Sequence, residues 1–437
     1  MKRHLFLIVI SFYCVGVAAA QGDSAPLPLT LREALKKAYE VNPQVIMADA
    51  RVEQALARIG QARAALLPNI DGVVSGSRQT RELRGSGFDF PGLDPHVGPF
   101  NSFDARPRLT VSLFDPAALQ RLHAAQKGQQ LSYAQNRKVR DDVLALVASL
   151  YVQAKRSAQT YDAAALVLKR DSQALQVMQT RQAQGSGSSL DLKKAESDVA
   201  QSSFLFQRAQ TQMLEDRVNL AAALKLPIDV PITFTDDKND EELLNKITAL
   251  PADEKNPDVK LAMAQIESQK AEQAAASAAF WPRITGMADY GRSGSAPDDG
   301  SNTYMIGVQA TIPIWEGGFN QSKLKEAKAQ VKEAQANLDD ILVQDQAKLM
   351  IARQALQEAF DMVKAKQAQT SVIEASLQIT QARLDSGTGS SLDLIQAQAA
   401  QALAQDEANE AQAYVITAQV NVAHALGKLQ DIVKEQK

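Results

Sequence analysis

An eight-residue phrase occurs twice in this chain and limits what the rest of it can fold into. Gly-Ser-Gly-Ser-Ser-Leu-Asp-Leu at 185–192 returns as Gly-Thr-Gly-Ser-Ser-Leu-Asp-Leu at 387–394, a spacing of 202 positions. Each copy interrupts a long Ala- and Gln-rich stretch with helical periodicity. Glycine accepts a positive φ at a helix end, and the serines that follow can cap the next helix. Ser188-x-x-Asp191 and Ser390-x-x-Asp393 have the spacing of capping boxes, with Asp where Glu or Gln is usual. Each copy therefore predicts a tight turn between two helices. The duplication reaches further. Asn42-Pro43-Gln44-Val45 returns as Asn256-Pro257-Asp258-Val259, and Pro68-Asn69-Ile70-Asp71-Gly72 as Pro282-Arg283-Ile284-Thr285-Gly286, both after 214 positions. Leu113-Phe114-Asp115 parallels Ile314-Trp315-Glu316, and Asn219-Leu220-Ala221 parallels Asn421-Val422-Ala423. A period near 200 residues means one unit used twice, not a short-period solenoid.

Residues 1–20 have the layout of a secretory signal. Lys2, Arg3 and His4 form a positive start, Leu5 to Val17 is mostly apolar, and Ala18-Ala19-Ala20 offers a small-residue cleavage site. Cys14 is the only cysteine; Phe12 and Tyr13 before it are too large for a lipid-attachment site, and cleavage after Ala20 removes it. Export without disulfides suits a bacterial periplasm or outer membrane. Loss of Lys2 and Arg3 makes the formal charge of −3 two units more negative, which leaves no electrostatic footprint for nucleic acid. No later stretch has 18 or more consecutive apolar residues, so a membrane could be crossed only by a closed β-barrel.

The remainder divides into a first repeat at 21–226, a linker at 227–255 and a second repeat at 256–437. Leu29 to Leu66 predicts a helix that Pro43 bends or breaks, opened by Thr30-x-x-Glu33 as a capping box. Residues 69–80 and 103–114 carry strand signals, as do 283–292 and 303–314. Between the first two, Gly85 to Phe100 is rich in Gly, Pro and Phe, and predicts a long loop that presents Phe88, Phe90 and Phe100 outward. Asp115-Pro116 then starts a helix that runs to Gln184, about 105 Å at 1.5 Å per residue. Glu316-Gly317-Gly318 opens its counterpart, which runs to Asp385. Leu324, Ala327, Val331, Ala334, Leu338 and Ile341 form a seam along it. The seam slips near Asp345 and resumes as Leu349, Ala352, Leu356, Ala359 and Val363, a coiled-coil seam with a stutter. Shorter helices return over Ser188–Leu226 and from Ser390 to about Leu429. The Pro-rich, acidic linker predicts a small domain with one helix at Glu241–Ala249.

These motifs, in this order and spacing, resemble the bacterial outer-membrane efflux proteins, the channel-tunnel family of which TolC is the type. The resemblance rests on the duplication, on Asn-Pro followed 26 positions later by Pro in each half, on Ile-Pro-Ile-Trp-Glu-Gly-Gly at 312–318, and on the paired turns. It covers nearly all of the chain after residue 20. It implies a mostly α, α+β membrane protein. Long antiparallel coiled-coil helices would form a periplasmic α-barrel, and four strands per chain would contribute to a trimeric, twelve-stranded outer-membrane β-barrel. It also implies an exit duct that passively conducts small molecules, joined to a periplasmic adaptor and an inner-membrane transporter of RND or ABC type. Four strands from one chain cannot enclose a lumen, so homotrimerisation in outer-membrane lipid also follows from geometry. The chain ends soon after its last helix, so the equatorial region is expected to be small.

Asp191 and Asp393 lie one turn into the returning helices. They are candidates for an acidic ring at the periplasmic gate, of which Asp393 matches a gate position of the family. Capping and compensation of the helix dipole are the alternative role. Gly185, Ser186, Gly187, Gly387, Thr388 and Gly389 are candidates for the adaptor-docking surface. Phe114 and Trp315, read as equivalent strand ends, are candidates for an aromatic girdle at the membrane interface or for packing at the barrel–tunnel junction. No catalytic residue, cofactor or metal is expected: His96, His123 and His424 are far apart, and the Gly-x-Gly pairs follow helices rather than strands. A duct for type I protein secretion and a pore-less periplasmic coiled-coil adaptor are the competing functions.

Overall fold

The computed structural model describes residues 27–82, 96–235, 238–250 and 256–434. The signal-like segment 1–20, Cys14, Phe88 and Phe90 lie outside the described residues. In order, the elements of the first half are β1 (Leu27–Leu29), α1 (Leu31–Val41), α2 (Pro43–Ala64), β2 (Asn69–Glu82), β3 (His96–Phe114), α3 (Pro116–Ala183) and α4 (Ser189–Ala223). Then come β4 (Ile232–Phe234), α5 (Lys238–Thr248), α6 (Pro257–Ala278), β5 (Arg283–Gly294), β6 (Gly300–Thr311), α7 (Phe319–Asp385), α8 (Ser391–Ala425) and α9 (Leu429–Lys434). The repeat is exact in length where it matters: α2 and α6 have 22 residues each, α4 and α8 have 35 each.

The same local chemistry starts the equivalent helices. Thr30 and Glu33 form the reciprocal capping box of α1. Asn42 ends α1 and caps α2, accepting the Gln44 N–H at 2.9 Å, with Pro43 filling the first helical position, where an N–H is not needed. Asn256 does the same for α6, accepting from Val259 at 2.9 Å. Each asparagine also donates its amide to the end of a returning helix, Asn42 to the Ala223 carbonyl at 3.1 Å and Asn256 to that of Ala425 at 3.5 Å. One side chain thus satisfies an orphan N–H of one helix and an orphan carbonyl of another. Asp115 caps α3 by accepting from Ala118 at 2.8 Å.

The 68 residues of α3 span about 100 Å, and α7 with 67 is similar. Towards the two glycine turns the helices lie in the order α4, α3, α8, α7; towards the strands the order is α2, α3, α6, α7. The α7 seam is as the spacing predicts: Ala327, Val331, Ala334, Leu356 and Ala359 are buried, with the other named positions half-buried between exposed neighbours. Small side chains set the close approach of these helices, and polar ones keep the other faces wet.

The strands β2, β3, β5 and β6 form one antiparallel sheet in that order. Several boundaries differ from expectation: β2 and β5 end two residues later, at Glu82 and Gly294, β6 begins three residues earlier, at Gly300, and two further shifts are larger in consequence. β3 begins at His96, inside the segment expected to be loop: Phe100, Val97 and His96 pair with Gln79, Arg81 and Glu82 across a register shift. Gly98 sits at that shift with φ +122°, so the Gly-Pro sequence marks a bulge within the ribbon rather than its end. β6 stops at Thr311 because its partner β5 starts at Arg283, opposite Thr311, and Pro313 has no N–H to extend the ladder. Trp315 therefore lies beyond a strand, whereas Phe114 ends one.

The returning helix of the second repeat is also shorter than expected. α8 ends at Ala425, Gly427 takes φ +64°, and α9 folds back. A Cβ on Gly427 would lie 2.1 Å from the Pro257 ring, so glycine is what lets α8 end against the start of α6. The linker contributes β4, which pairs in parallel with β1, and an α5 that starts earlier than expected. Around them lies the largest aliphatic core, where Leu35, Leu144, Leu220, Leu224 and Leu429 are fully buried. Tyr151 of α3 crosses it to donate to the Leu29 carbonyl at 3.0 Å, edge-on to Phe234 at 5.3 Å.

Asn256→Ala is expected to cost about 1–2 kcal/mol through loss of the cap. Asn256→Asp should recover the cap but not the donation to Ala425. Urea unfolding in detergent checks this; an alanine variant as stable as the parent would remove the asparagine from any structural role.

Candidate functional site

The two glycine turns share one backbone solution. Gly185 and Gly387 take φ +72° and +75° with open space around the missing Cβ. The chain then folds back so that N–H groups past the glycine cap the outgoing helix: Ser186 donates to the Arg181 carbonyl at 3.0 Å, Thr388 and Gly389 to that of Arg383 at 2.9 and 2.8 Å. Gly187 and Gly389 are required for a different reason. A Cβ there would stand 2.6 Å from the Gln182 nitrogen and 2.8 Å from that of Leu384, both backbone atoms. Ser186 and Thr388 are exposed, and the Ser386 and Thr388 hydroxyls are 3.0 Å apart.

Asp191 and Asp393 are exposed and lie in the first turns of α4 and α8. The first capping box is not formed: Ser188 is the N-cap of α4 but makes no side-chain cap hydrogen bond. Asp191 instead lines a cleft of about 410 Å³ where α3, α4 and α8 meet, with Lys194 and Asp198 of its own helix, Arg170 and Asp171 of α3, and Ile395 and Gln396 of α8. The starts of the two returning helices are thus neighbours at one end of the molecule. Asp393 is not among the residues lining that cleft.

At the other end the sheet has two unlike faces. Ile70, Leu109, Ala288 and Ile306 form one register row, with Tyr290 opposite Tyr304 beside it. Ile306 is 79% exposed, and Ile70, Tyr290, Tyr304 and Val308 are exposed with it. The row one residue over is Asp71, Arg108, Asp289 and Met305. On that face Arg106 bridges Asp104 and Asp289, reaching the latter at 2.8 Å, and donates to Thr303 at 3.2 Å. Gly291 opposite it leaves the room, since a Cβ there would lie 2.2 Å from that of Arg106. Where sheet meets helices, Phe114 and Trp315 are exposed, and so are Leu67, Phe280, Trp281, Ile314 and Phe319. Of these, Leu67, Phe280, Trp281 and Phe319 escaped the sequence reading, although Phe280-Trp281 before Pro282 is an aromatic pair at a helix end.

A second polar group was also missed. His424, in the last turn of α8, has Nε2 3.1 Å from Asp142 and 3.8 Å from Asp141 of α3. Burial pushes the Asp141 carboxyl up to about 7. The hydrogen bond to Asp142 raises His424 above its ordinary value despite its own partial burial. Asp142 is lowered: burial acts to raise it, but His424 and Lys138 outweigh that. Among the described residues no three or more His, Cys, Asp or Glu side chains are placed to hold a metal ion, and no helix is long and apolar enough to cross a membrane.

Comparison with known proteins gives one answer. Residues 34–224 and 251–428 match the family described as outer membrane efflux protein. The pyoverdine export outer membrane protein OpmQ of Pseudomonas putida is 26% identical over 392 residues, 87% of this chain and 82% of that protein. The solvent efflux pump outer membrane protein SrpC of the same species is 26% identical over 423 residues, 90% and 84% of the two chains. Among solved structures, the outer membrane protein VceC of Vibrio cholerae superposes with a TM-score of 0.72 at 20% identity, covering 91% of this chain and 96% of its own. The Campylobacter jejuni CmeC outer membrane channel gives 0.75 at 19%, covering 93% and 88%. These structures share the fold.

The two kinds of turn glycine are expected to respond differently. Gly387→Ala should cost about 1–2 kcal/mol locally and Gly387→Asn less, because asparagine tolerates the left-handed region. Gly389→Ala should be worse than either, since its Cβ meets backbone. Nicking within 380–395 by a broad-specificity protease ranks the variants; Gly389→Ala nicked no faster than the parent would contradict the close approach.

Proposed function

Because the chain belongs to the outer membrane efflux protein family, we propose that it is the outer-membrane exit duct of a tripartite efflux system, open to small molecules and driven by an inner-membrane partner. One observation carries the reading: a four-stranded sheet with an apolar exposed face and a polar opposite face, joined directly to helices about 100 Å long. The paired stretch of β5 and β6 is 12 residues per strand, enough to span a bilayer's hydrocarbon core when tilted by about 45°. β2 and β6 are the sheet's edges, and an unpaired edge in lipid costs several kcal/mol per backbone group. Three copies, each giving four strands, close a twelve-stranded barrel and remove every edge.

In that assembly the apolar row through Ile70 and Ile306 faces lipid, and the Arg106 cluster faces the lumen. Phe114, Trp281 and Trp315 form the girdle at the inner boundary of the membrane. The glycine turns form the periplasmic mouth, where Gly185, Ser186, Gly187, Gly387, Thr388 and Gly389 offer a small-residue surface to an adaptor, which links the duct to a transporter of RND or ABC type. Asp191 and Asp393, repeated three times, place carboxylates around the mouth. The relatives' names, pyoverdine export and solvent efflux, favour small-molecule cargo over secreted protein. The pore-less adaptor reading has no use for a sheet with a lipid-compatible face.

Purified protein in detergent is expected to be a trimer and to form channels of uniform conductance in a planar bilayer. A monodisperse monomer with full β content would exclude the barrel. Asp393→Asn should lower cation selectivity and weaken block by multivalent cations added on the periplasmic side, because a ring of carboxylates at a constriction selects cations. Unchanged selectivity and block in that variant would move the gate elsewhere.

A further inference from the structure

The chain contains a buried carboxylate that its duct role does not use. Asp141 is 2% exposed, and its Oδ1 has no hydrogen-bond partner among the described residues. It lines a cavity of about 390 Å³ at the joint where the end of α8 and the start of α6 pack on α3 and α7. The charged groups facing it come from all four helices: Lys138 and Asp142 of α3, Asp258 of α6, Asp345 and Lys348 of α7, and His424 of α8. Lys138 is held by Asp258 and lies 3.5 Å from Asp142, and Asp345 receives the Asn256 amide. Four carboxylates thus face two ammonium groups, and the histidine is the group left to balance them. His424 closes the last turn of α8, where the helix dipole favours a positive charge.

A different pairing is found where α1 and α2 pack on α3. There Arg140 of α3 holds Asp49 of α2 at 2.7 Å and lies 4.3 Å from the centre of the Tyr39 ring. A permanent guanidinium does not titrate in the physiological range. At the end of α8, Asp141 and His424 are both shifted upward, Asp141 to about 7.

We propose that Asp141 and His424 form a proton-binding site that couples ambient pH to how tightly the end of α8 is held on α3. Proton uptake removes the charge of the buried carboxyl, which is costly to keep unpaired in the interior, and gives His424 the charge that Asp142 attracts. The signs agree. His424 is raised by Asp142, so the stability it adds is complete below its unfolded value near 6.5 and is lost as pH rises through its folded value. Asp141 is raised by burial from 3.8 to about 7, so its neutral form favours the closed joint, and that advantage fades as pH climbs towards 7. Asp142 acts oppositely, but only where pH falls through its lowered value. The joint is tight in mild acid and loosens as pH rises, Asp141 giving up its share by about pH 7 and His424 its share above its ordinary value of 6.5.

Hydrogen exchange of the full-length protein in detergent tests this, with the glycine turns as internal reference. In the parent, opening of the 416–426 segment, corrected for intrinsic exchange, should rise by about tenfold or more between roughly pH 5.5 and pH 8.5, since each unit of pKa difference is a factor of ten. Asp141→Asn imitates the protonated carboxyl; it should keep the segment closed at the alkaline end and reduce the rise to about threefold or less. His424→Gln, which cannot charge, should open the segment at the acid end and also flatten the dependence. A parent that exchanges equally at both pH values overturns the proposal. So does either single variant that keeps the parent's full dependence, or an Asp141→Asn protein that is more open than the parent at alkaline pH.

Discussion

A backbone that enters a bilayer must find all its hydrogen-bond partners within protein, and this chain alone does not supply them. Its four strands pair in the order β2, β3, β5, β6 and leave two edges. In the proposed assembly those edges meet other copies, and the curvature of a barrel then dictates the rest. Each strand pair must feed helices that continue as a curved wall, so the chain contributes its strands in two pairs, each between a short helix and a long one. The duplication suits this: one strand pair and one hairpin, used twice, would fill one third of the proposed circumference.

The helices solve a different problem, being long and thin with little volume for a core. Alanine at the seam positions lets them approach closely, at the expense of apolar area buried per residue. Stability is concentrated instead where the chain doubles back, at the aliphatic core around β1, β4, α1 and α9. There Asn42 and Asn256 each tie one helix start to one helix end. Charge is handled differently at two places on α3: Arg140 pairs with Asp49 where α2 packs on it, whereas an acid-rich cavity holds His424 at the end of α8.

Legibility in the sequence followed locality. Asn-Pro pairs, Asp115-Pro116 and the glycine turns were readable because each acts through capping bonds to residues within six positions. The expected capping box at Ser188 and Asp191 did not form: Ser188 is the N-cap of α4, but its side chain makes no cap hydrogen bond, and the spacing of the two residues does not decide the side-chain rotamer. The start of β3 at His96 was hidden because glycine and proline at a bulge look like those in a loop. The end of β6 was misplaced because a strand lasts only as long as its partner.

By itself, the sequence determined the repeat, the four strand segments, the two long helices and the positions of the turns, since periodicity, proline and glycine act within one or two helical turns. Tertiary structure decided which distant residues meet. It paired β3 with β5 and so joined the two repeats in one sheet. It set Gly291 beneath Arg106, and it brought His424 to Asp141 and Asp142 across 282 positions of chain. Burial decides the charge of such a carboxyl, and no pattern along the chain reports burial between helices from different repeats.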